Sequence, residues 1–267
     1  YENYIIVDVG ANLTNKKYSR DLDSVIQRAK DAGVQKIMVT GASIRSSKEA
    51  LRLTRIYPGT LYSTAGVHPH DAKSWENPDT LQELESIANN PECVAIGECG
   101  LDYSRDFSDP ETQRAVFHKQ VELACQLTKP LVIHERGAQT DVLEVLNHYK
   151  NCLPPVLIHS FIGTAKEAQI YLDHGFYLGI TGYLCKDKSD SGIRQLLEKR
   201  LAPLDRILIE TDAPFMYPNT RASKRNEPCA LPAIVEMVAA FMKIAPEEVA
   251  LATAFNALKL FGLILKN

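Results

Sequence analysis

The chain has 267 residues, of which 45% are hydrophobic, and carries a formal net charge of -3 at pH 7. This length is sufficient for a large core and is usual for a single α/β barrel domain. The slightly negative charge excludes a basic coat protein of nucleic acids, whereas a nucleic-acid enzyme stays compatible because local charge and bound metals matter more there. Apolar runs stay well short of the roughly 18 residues that a membrane helix needs, so we expect no membrane association.

Short apolar runs recur along the chain and predict buried strands, because strands covered on both faces form nearly continuous apolar segments. Eight such strands are predicted: Ile5–Gly10, Lys36–Gly41, Leu61–His68, Cys93–Glu98, Pro130–His134, Pro155–His159, Tyr177–Thr181 and Ile207–Asp212. Amphipathic segments between them predict helices, among them 20–33 and 109–128. The second of these begins with a capping Asp109 and with Pro110 in the first turn. Gly33 and Gly175 are predicted to follow helix ends.

The regular alternation of strands and helices predicts parallel strands joined by right-handed crossovers. Eight such units favour a (β/α)8 TIM barrel, an α/β fold, forming one domain over 1–267. An open, doubly wound sheet is the structural alternative. A loop over 213–229 and two helical stretches follow the eighth strand.

The six cysteines are scattered and form no Cys-x-x-Cys pair. They predict free thiols in a reducing compartment, the cytoplasm or alternatively the nucleus, with secretion and disulfides as the minority interpretation. The chain starts at Tyr1 rather than Met, so removal of a leader is compatible with the sequence.

Polar side chains stand where the predicted strands end, which is where sites of parallel α/β folds lie. They are Asp8 and Asn12 at the end of strand one, His68 at the end of strand three, Glu98 at that of strand four, His134 at that of strand five, His159 at that of strand six, and Glu210 and Asp212 at that of strand eight. Packed together, such groups would repel one another or lack partners, whereas a divalent cation binds both carboxylate oxygen and neutral imidazole. We therefore interpret Glu98 as a metal ligand. The alternative is a polar network at the barrel mouth without metal.

The remaining histidines give weaker signals. His68, close to its strand end, is a better candidate for substrate contact than His70. His118 and His148 lie within helical patterns and are expected at the surface, and His174 suits the last turn of a helix.

Seven segments, in this order along the chain, resemble motifs of the TatD family of metal-dependent deoxyribonucleases: STAGVHPHDA, VAIGECGLDY, PLVIHER, IHSFIGT, GITGYLC, LIETDAP and RNEPCALP. The resemblance covers nearly the whole chain. It implies an amidohydrolase-type TIM barrel with a divalent-metal centre. It also implies hydrolysis of nucleic-acid phosphodiesters, often as a 3′–5′ exonuclease on single strands.

By position, the resemblance implies that Glu98 bridges two metals, that His134 and His159 hold one of them, and that Asp212 belongs to the other. His68 and Glu210 would line the site and help to place phosphate or water. Many family members carry a His-x-His pair on strand one, where this chain has Gly10 and Asn12. Without those imidazoles, the metal to which Asp212 belongs would have mainly carboxylate oxygens and water as ligands, which favours Mg²⁺ or Mn²⁺ over Zn²⁺. A second departure is Glu135, at a position where family members frequently have a Cys. The sequence does not indicate what this difference does.

These residues predict metal-assisted attack of water on a phosphodiester of single-stranded DNA or RNA. Asp212 is the preferred general base and Glu210 the alternative. Asn12 and Arg225 are predicted to contact substrate, although Arg225 could instead be paired with an acid. Further cations near the barrel mouth are Lys186, Lys188, Arg221 and Lys224.

Two other functions fit the same residues. An amide or lactone hydrolase could use the same barrel, and a catalytically weak nucleic-acid-binding protein is compatible with the sparse ligands on strand one. The cations after strands seven and eight favour phosphate over an amide. We expect a monomer.

Overall fold

The computed structural model describes residues 5–188, 191–219 and 225–263. Its strands are β1 Ile6–Ala11, β2 Val34–Val39, β3 Leu61–Ala65, β4 Cys93–Asp102, β5 Leu131–Arg136, β6 Val156–Ile158, β7 Tyr177–Ile180 and β8 Ile207–Ile209. Its α-helices are α1 Leu22–Asp31, α2 Ile44–Ile56, α3 Asp79–Ala88, α4 Pro110–Leu127, α5 Gln139–His148, α6 Ala165–Asp173, α7 Ile193–Glu198, α8 Leu231–Met242 and α9 Pro246–Phe261. Helices thus alternate with strands through β8, as the sequence predicts.

The eight strands are neighbours in chain order, from β1 to β8. The pairings β1 with β2, β3 with β4, β4 with β5, β5 with β6 and β7 with β8 are all parallel, and β8 also contacts β1. The (β/α)8 TIM-barrel class is therefore confirmed. The open, doubly wound sheet is excluded, because a doubly wound sheet reverses its strand order at a switch point.

The chain forms two compact units, Tyr1–Val39 with Ser160–Asn267, and Thr40–His159. The first unit contains β1, β2, β7 and β8, and the second contains β3 to β6. The organisation as one domain over 1–267 stays a prediction.

Apolar side chains explain why these segments become strands. All ten residues of β4 are buried, and its Ile96 and Leu101 are fully inaccessible. The neighbouring Leu131 of β5 is equally buried. Each fully buried aliphatic side chain stabilises the fold by about 1.5–3 kcal/mol, so the sheet forms the centre of the core.

The predicted helix boundaries are confirmed where a capping residue defines them. Asp109 precedes α4 and its carboxylate accepts a hydrogen bond from the Thr112 backbone N–H at 2.8 Å. Gly33 and Gly175 follow the ends of α1 and α6, as predicted.

Three strand ends differ from the prediction by three residues or more. β3 ends at Ala65, so His68 lies beyond it. β4 continues four residues beyond the predicted end at Glu98, because Gly100 to Asp102 pair with His134 to Arg136 of β5. β8 ends at Ile209, so Glu210 and Asp212 belong to the loop that follows it.

Glycines allow β4 to approach β5 closely beside Glu98. Gly97 and Gly100 have φ angles of +150° and +142°, which L-residues rarely adopt. A Cβ atom at Gly97 would lie 2.4 Å from the Val132 carbonyl oxygen, and one at Gly100 would lie 1.9 Å from the His134 carbonyl oxygen. Only glycine therefore fits where the carboxylate of β4 meets the histidine of β5.

Among the described residues, no single helix has the length and apolar composition needed to cross a membrane. Pro228–Met242 and Pro246–Phe261 meet those criteria only as a pair, with a bend of 113° between them.

We predict that Gly100→Ala destabilises the protein by more than about 3 kcal/mol, because backbone strain and overlap with a fixed carbonyl add together. The matched control is Gly137→Ala, where φ is +62° and no heavy atom lies within 4 Å of the added methyl group. That control should lose only about 1–2 kcal/mol. Urea unfolding followed by circular dichroism measures both, and equal losses would contradict the proposed close contact.

Candidate metal centre

The Glu98 carboxylate is surrounded by imidazole rings in the unit Thr40–His159. Its Oε1 atom lies 3.1 Å from His134 Nδ1, 3.4 Å from His68 Nε2 and 3.6 Å from His159 Nε2. Glu98 is 5% exposed. His134 lies in β5, and His68 and His159 follow the ends of β3 and β6, so the carboxyl ends of three parallel strands bring nitrogen atoms to one buried oxygen.

A second carboxylate lies beside the first. Asp102 Oδ2 is 2.7 Å from His70 Nε2 and 2.9 Å from His134 Nε2. Its other oxygen accepts hydrogen bonds from the Ser104 backbone N–H at 2.9 Å and from the Ser104 hydroxyl at 2.5 Å. Asp102 therefore binds one edge of the His134 ring and directs the Nδ1 edge toward Glu98.

Helix α4 holds these side chains in place through two buried glutamines. Gln120 accepts a hydrogen bond from the Val67 N–H at 2.8 Å and donates one to the Val67 carbonyl at 3.0 Å. Gln113 does the same for Asp102, at 2.8 and 3.0 Å. Each amide satisfies both polar backbone groups of one residue, which would be costly to bury unpaired. The backbone at Asp102, and that immediately before His68, is consequently fixed from α4.

Burial and the neighbouring histidine rings have opposite effects on the pKa values of Glu98 and Asp102. Burial alone would raise the pKa of Glu98, but the charges of His159 and His68 and the hydrogen bond with His134 hold that pKa well below its usual range. Burial likewise opposes, without overcoming, the hydrogen bonds from His134, Ser104 and His70 that lower the pKa of Asp102. Both carboxylates are therefore ionised, and the centre presents two buried negative charges.

The two histidines nearest Glu98 respond differently. Burial lowers the pKa of His68 despite the charge of Glu98. For His134, hydrogen bonds with Asp102 and Glu98 outweigh burial and raise the pKa. Of the two rings, His68 therefore loses its proton more readily.

The proton position on His68 follows from a backbone contact. Its Nδ1 atom accepts a hydrogen bond from the His70 backbone N–H at 3.0 Å, so the neutral ring carries its proton on Nε2. The Nε2 atom facing Glu98 is therefore a donor. This tautomer suits a group that binds an anionic oxygen better than one that binds a metal.

The donor set fits a divalent cation. Ligand nitrogens of His68, His70 and His134 lie within 4.8 Å of one another, and the ionised Glu98 lies against two of these rings and against His159. Buried carboxylate oxygen and imidazole together suit Mn²⁺, Zn²⁺ and similar ions, and the bound charge would neutralise the acids. Because Nε2 of His68 carries the proton in this tautomer, that atom is not available to bind a metal ion.

The other predicted acids lie in the unit that contains β1 and β8. Asp212 has a φ of +52°, an uncommon value for a residue other than glycine. Its Oδ1 atom accepts a hydrogen bond from the Asn12 side-chain amide at 3.1 Å, and its N–H donates to the Gly10 carbonyl at 2.8 Å. Asn12 also donates to the Ala213 carbonyl, so this amide positions Asp212. Glu210 is fully buried and accepts a hydrogen bond from the Ser160 N–H at 2.7 Å.

Asp8 connects the end of β1 with the segment that follows β8. Its carboxyl group accepts hydrogen bonds from the Gly10 N–H and from both the N–H and the hydroxyl of Thr211. Burial raises the pKa of Asp8 to about 7 in spite of these donors. The group links the backbone of β1 to the residue before Asp212.

The predicted cations lie in different surroundings. Arg225 forms two hydrogen bonds with the Asp21 carboxylate, at 2.9 and 2.8 Å, and stacks over Tyr18. This arrangement favours the structural alternative, pairing with an acid, and a substrate contact for Arg225 stays a prediction. Lys186 and Lys188 are exposed, whereas Arg221 and Lys224 lie outside the described residues.

Of the remaining histidines, His148 and His174 lie where the sequence predicts them, whereas His118 is less exposed than expected. His148 is exposed, His118 is half-buried beside the Tyr149 hydroxyl, and His174 follows α6 with its Nδ1 atom 2.8 Å from the Ile170 carbonyl oxygen.

Comparison with known proteins identifies the family of the chain. Residues 7–262 match the model of the TatD-related DNase family. The chain belongs to this family. Membership assigns it to the nuclease hydrolases, as the sequence motifs predict.

Relatives of this TatD-related chain resemble it over nearly their full lengths. A protein of Citrobacter rodentium named 3′-5′ ssDNA/RNA exonuclease TatD is 42% identical over 264 residues, covering 97% of this chain and 99% of the relative. The crystal structure of a TatD-family hydrolase from Entamoeba histolytica has a TM-score of 0.89 and 26% identity, covering 98% and 99% of the two chains. The Escherichia coli TatD homologue YJJV has the same TM-score and identity, covering 97% and 98%.

Sequence reasoning missed Asp102 and undervalued His70. Asp102 follows Glu98 by four residues, and residues at i and i+4 share a face of a strand. That spacing would have identified Asp102 only if β4 had been predicted to continue past Glu98. His70 has a partner only because of this continuation.

We predict that Asp102→Asn weakens Mn²⁺ binding about 10- to 100-fold, because the carboxylate that orients the His134 ring is lost. The rise in unfolding temperature with added Mn²⁺ reports the affinity. Asp106→Asn, at an exposed position of the loop that follows β4, is the matched control and should bind like the wild type. Equal affinities of the Asp102 variant and the wild type would show that Asp102 does not organise the centre.

Proposed function

We propose that the chain is a divalent-metal-dependent 3′–5′ exonuclease acting on single-stranded DNA and RNA. The observation that carries this proposal is the buried, ionised Glu98 facing His134 and His159 at 3.1 and 3.6 Å. Substrate and polarity come from the names of the curated relatives, 3′-5′ ssDNA/RNA exonuclease TatD.

In this proposal Glu98, His134 and His159 would hold one metal ion, and Asp212 would serve a second one. The bound ions would supply an activated water and neutralise negative charge on the attacked phosphate. Mg²⁺ and Mn²⁺ are the preferred ions, because Gly10 and Asn12 replace the imidazoles that would favour Zn²⁺.

The chain's own side chains divide the remaining work. His68 donates its Nε2 proton to a phosphate oxygen, which the backbone contact of its Nδ1 atom supports. Asp212 would accept a proton from the attacking water, and Glu210 is the alternative acceptor. Asn12 keeps Asp212 oriented, so the substrate contact predicted for Asn12 becomes an indirect one in this proposal.

The protein treated with EDTA and dialysed should not degrade 3′-labelled single-stranded DNA, and Mn²⁺ or Mg²⁺ should restore the degradation. The expected products are mononucleotides released from the 3′ end. The same assay with RNA of equal sequence measures the relative preference. Untreated and mock-dialysed protein are the controls for loss of protein during chelation.

Full activity in the metal-free protein would refute the metal role. Hydrolysis of a lactone or amide substrate, with no release of nucleotides in the reconstituted protein, would instead favour the amidohydrolase interpretation. A reconstituted protein that binds single-stranded DNA without cleaving it would favour the binding protein.

A further inference from the structure

An exposed aromatic ring borders the metal centre. Phe107 is 53% exposed, and its ring centroid lies 5.0 Å from that of His70 with a tilt of 51°. The His70 ring in turn lies 4.3 Å from His68 and 5.6 Å from His134. Phe107 is thus separated from the ligands of the centre by one imidazole ring.

Hydrogen bonds of Ser104 and Ser108, not contacts of the Phe107 ring, fix the loop that carries Phe107. Ser104 is bonded to Asp102 on one side. On the other side, the Ser108 hydroxyl accepts a hydrogen bond from the Lys73 N–H at 3.1 Å, and the Ser108 carbonyl accepts one from Gln113 at 2.9 Å. The ring is therefore presented to solvent at a fixed position, next to the charged groups of the centre.

Exposure of this ring is unusual within its own unit. Large hydrophobic side chains in Thr40–His159 are buried or half-buried except for Phe107 and Ile56. Ile56 ends α2, just before the amino end of β3, and so lies at the opposite end of the sheet from the metal centre. A single ring beside the centre is too small an apolar patch for a protein partner. It has the size of one nucleobase.

We propose that Phe107 is a stacking platform for a nucleobase at the 3′ end of a single-stranded substrate. The proposal rests on the proposed function, because the 3′-terminal phosphodiester must lie at the metal centre. Stacking on an aromatic side chain tolerates every base, since each has a π face. It would let the enzyme bind unpaired 3′ ends independently of their sequence.

The test measures the binding of two oligonucleotides to the wild type and to Phe107→Ala, Phe107→Leu and Phe107→Tyr. One carries normal bases, and the other carries abasic residues at its last three 3′ positions. Phosphorothioate linkages at the 3′ end prevent cleavage, and fluorescence anisotropy in the presence of Mg²⁺ measures Kd. Ile56→Ala is the control for loss of an exposed apolar side chain.

Wild-type protein should bind the normal oligonucleotide more tightly than the abasic one, by a ratio in the range of about 5- to 100-fold. Phe107→Ala should bring that ratio close to one, Phe107→Tyr should keep it, and Ile56→Ala should leave it unchanged. KM for cleavable DNA should rise in Phe107→Ala with little change in kcat.

Equal ratios in the wild type and Phe107→Ala would overturn the proposal. So would a Phe107→Leu variant that discriminates like the wild type, because a general apolar contact would then suffice. These binding ratios remain decisive even if no cleavage is found, whereas absence of cleavage would by itself refute the proposed exonuclease.

Discussion

The structure of the centre depends on one unfavourable feature, the burial of the negatively charged Glu98 at the end of an apolar strand. An isolated carboxylate in such surroundings would take up a proton or destabilise the fold. Here the rings of His68, His134 and His159 face it, and a second buried acid, Asp102, lies behind His134. Two acids so close together are stable only with compensating positive charge, and this requirement connects the geometry of the strands with metal chemistry.

The surrounding fold meets that requirement through small backbone features. Gly97 and Gly100 let β4 approach β5 within distances that no Cβ atom would permit, which brings Glu98 and His134 together. Gln113 and Gln120 of α4 then fix the backbone of Asp102 and of the residue before His68. The rings therefore have little freedom to reorganise, as preorganised catalytic centres require.

The fold and much of the centre could be predicted from sequence, because a continuous apolar run ending in an acid or an imidazole is a local pattern. Glu98, His134 and His159 each end such a run. Asp102 and His70 could not be found in this way, since their roles depend on strand pairing beyond Glu98 and on a hydrogen bond between distant segments. Arg225 shows the opposite limit. Its position in the sequence predicts a contact with a substrate phosphate. Its observed partner, Asp21, lies 204 residues away along the chain, so a local pattern could not reveal it.

Calorimetric titration of metal-free Glu98→Gln protein with Mn²⁺ measures directly whether the buried charge of Glu98 holds the metal ion. The amide keeps the shape of the side chain but removes the buried charge. Glu135→Gln is the matched control, because Glu135 is also buried and its carboxylate accepts a hydrogen bond from the Ala138 N–H, which a glutamine oxygen can accept equally. We predict wild-type affinity in Glu135→Gln and at least about ten-fold weaker binding in Glu98→Gln. A folded Glu98→Gln protein that binds Mn²⁺ as tightly as the wild type would contradict it.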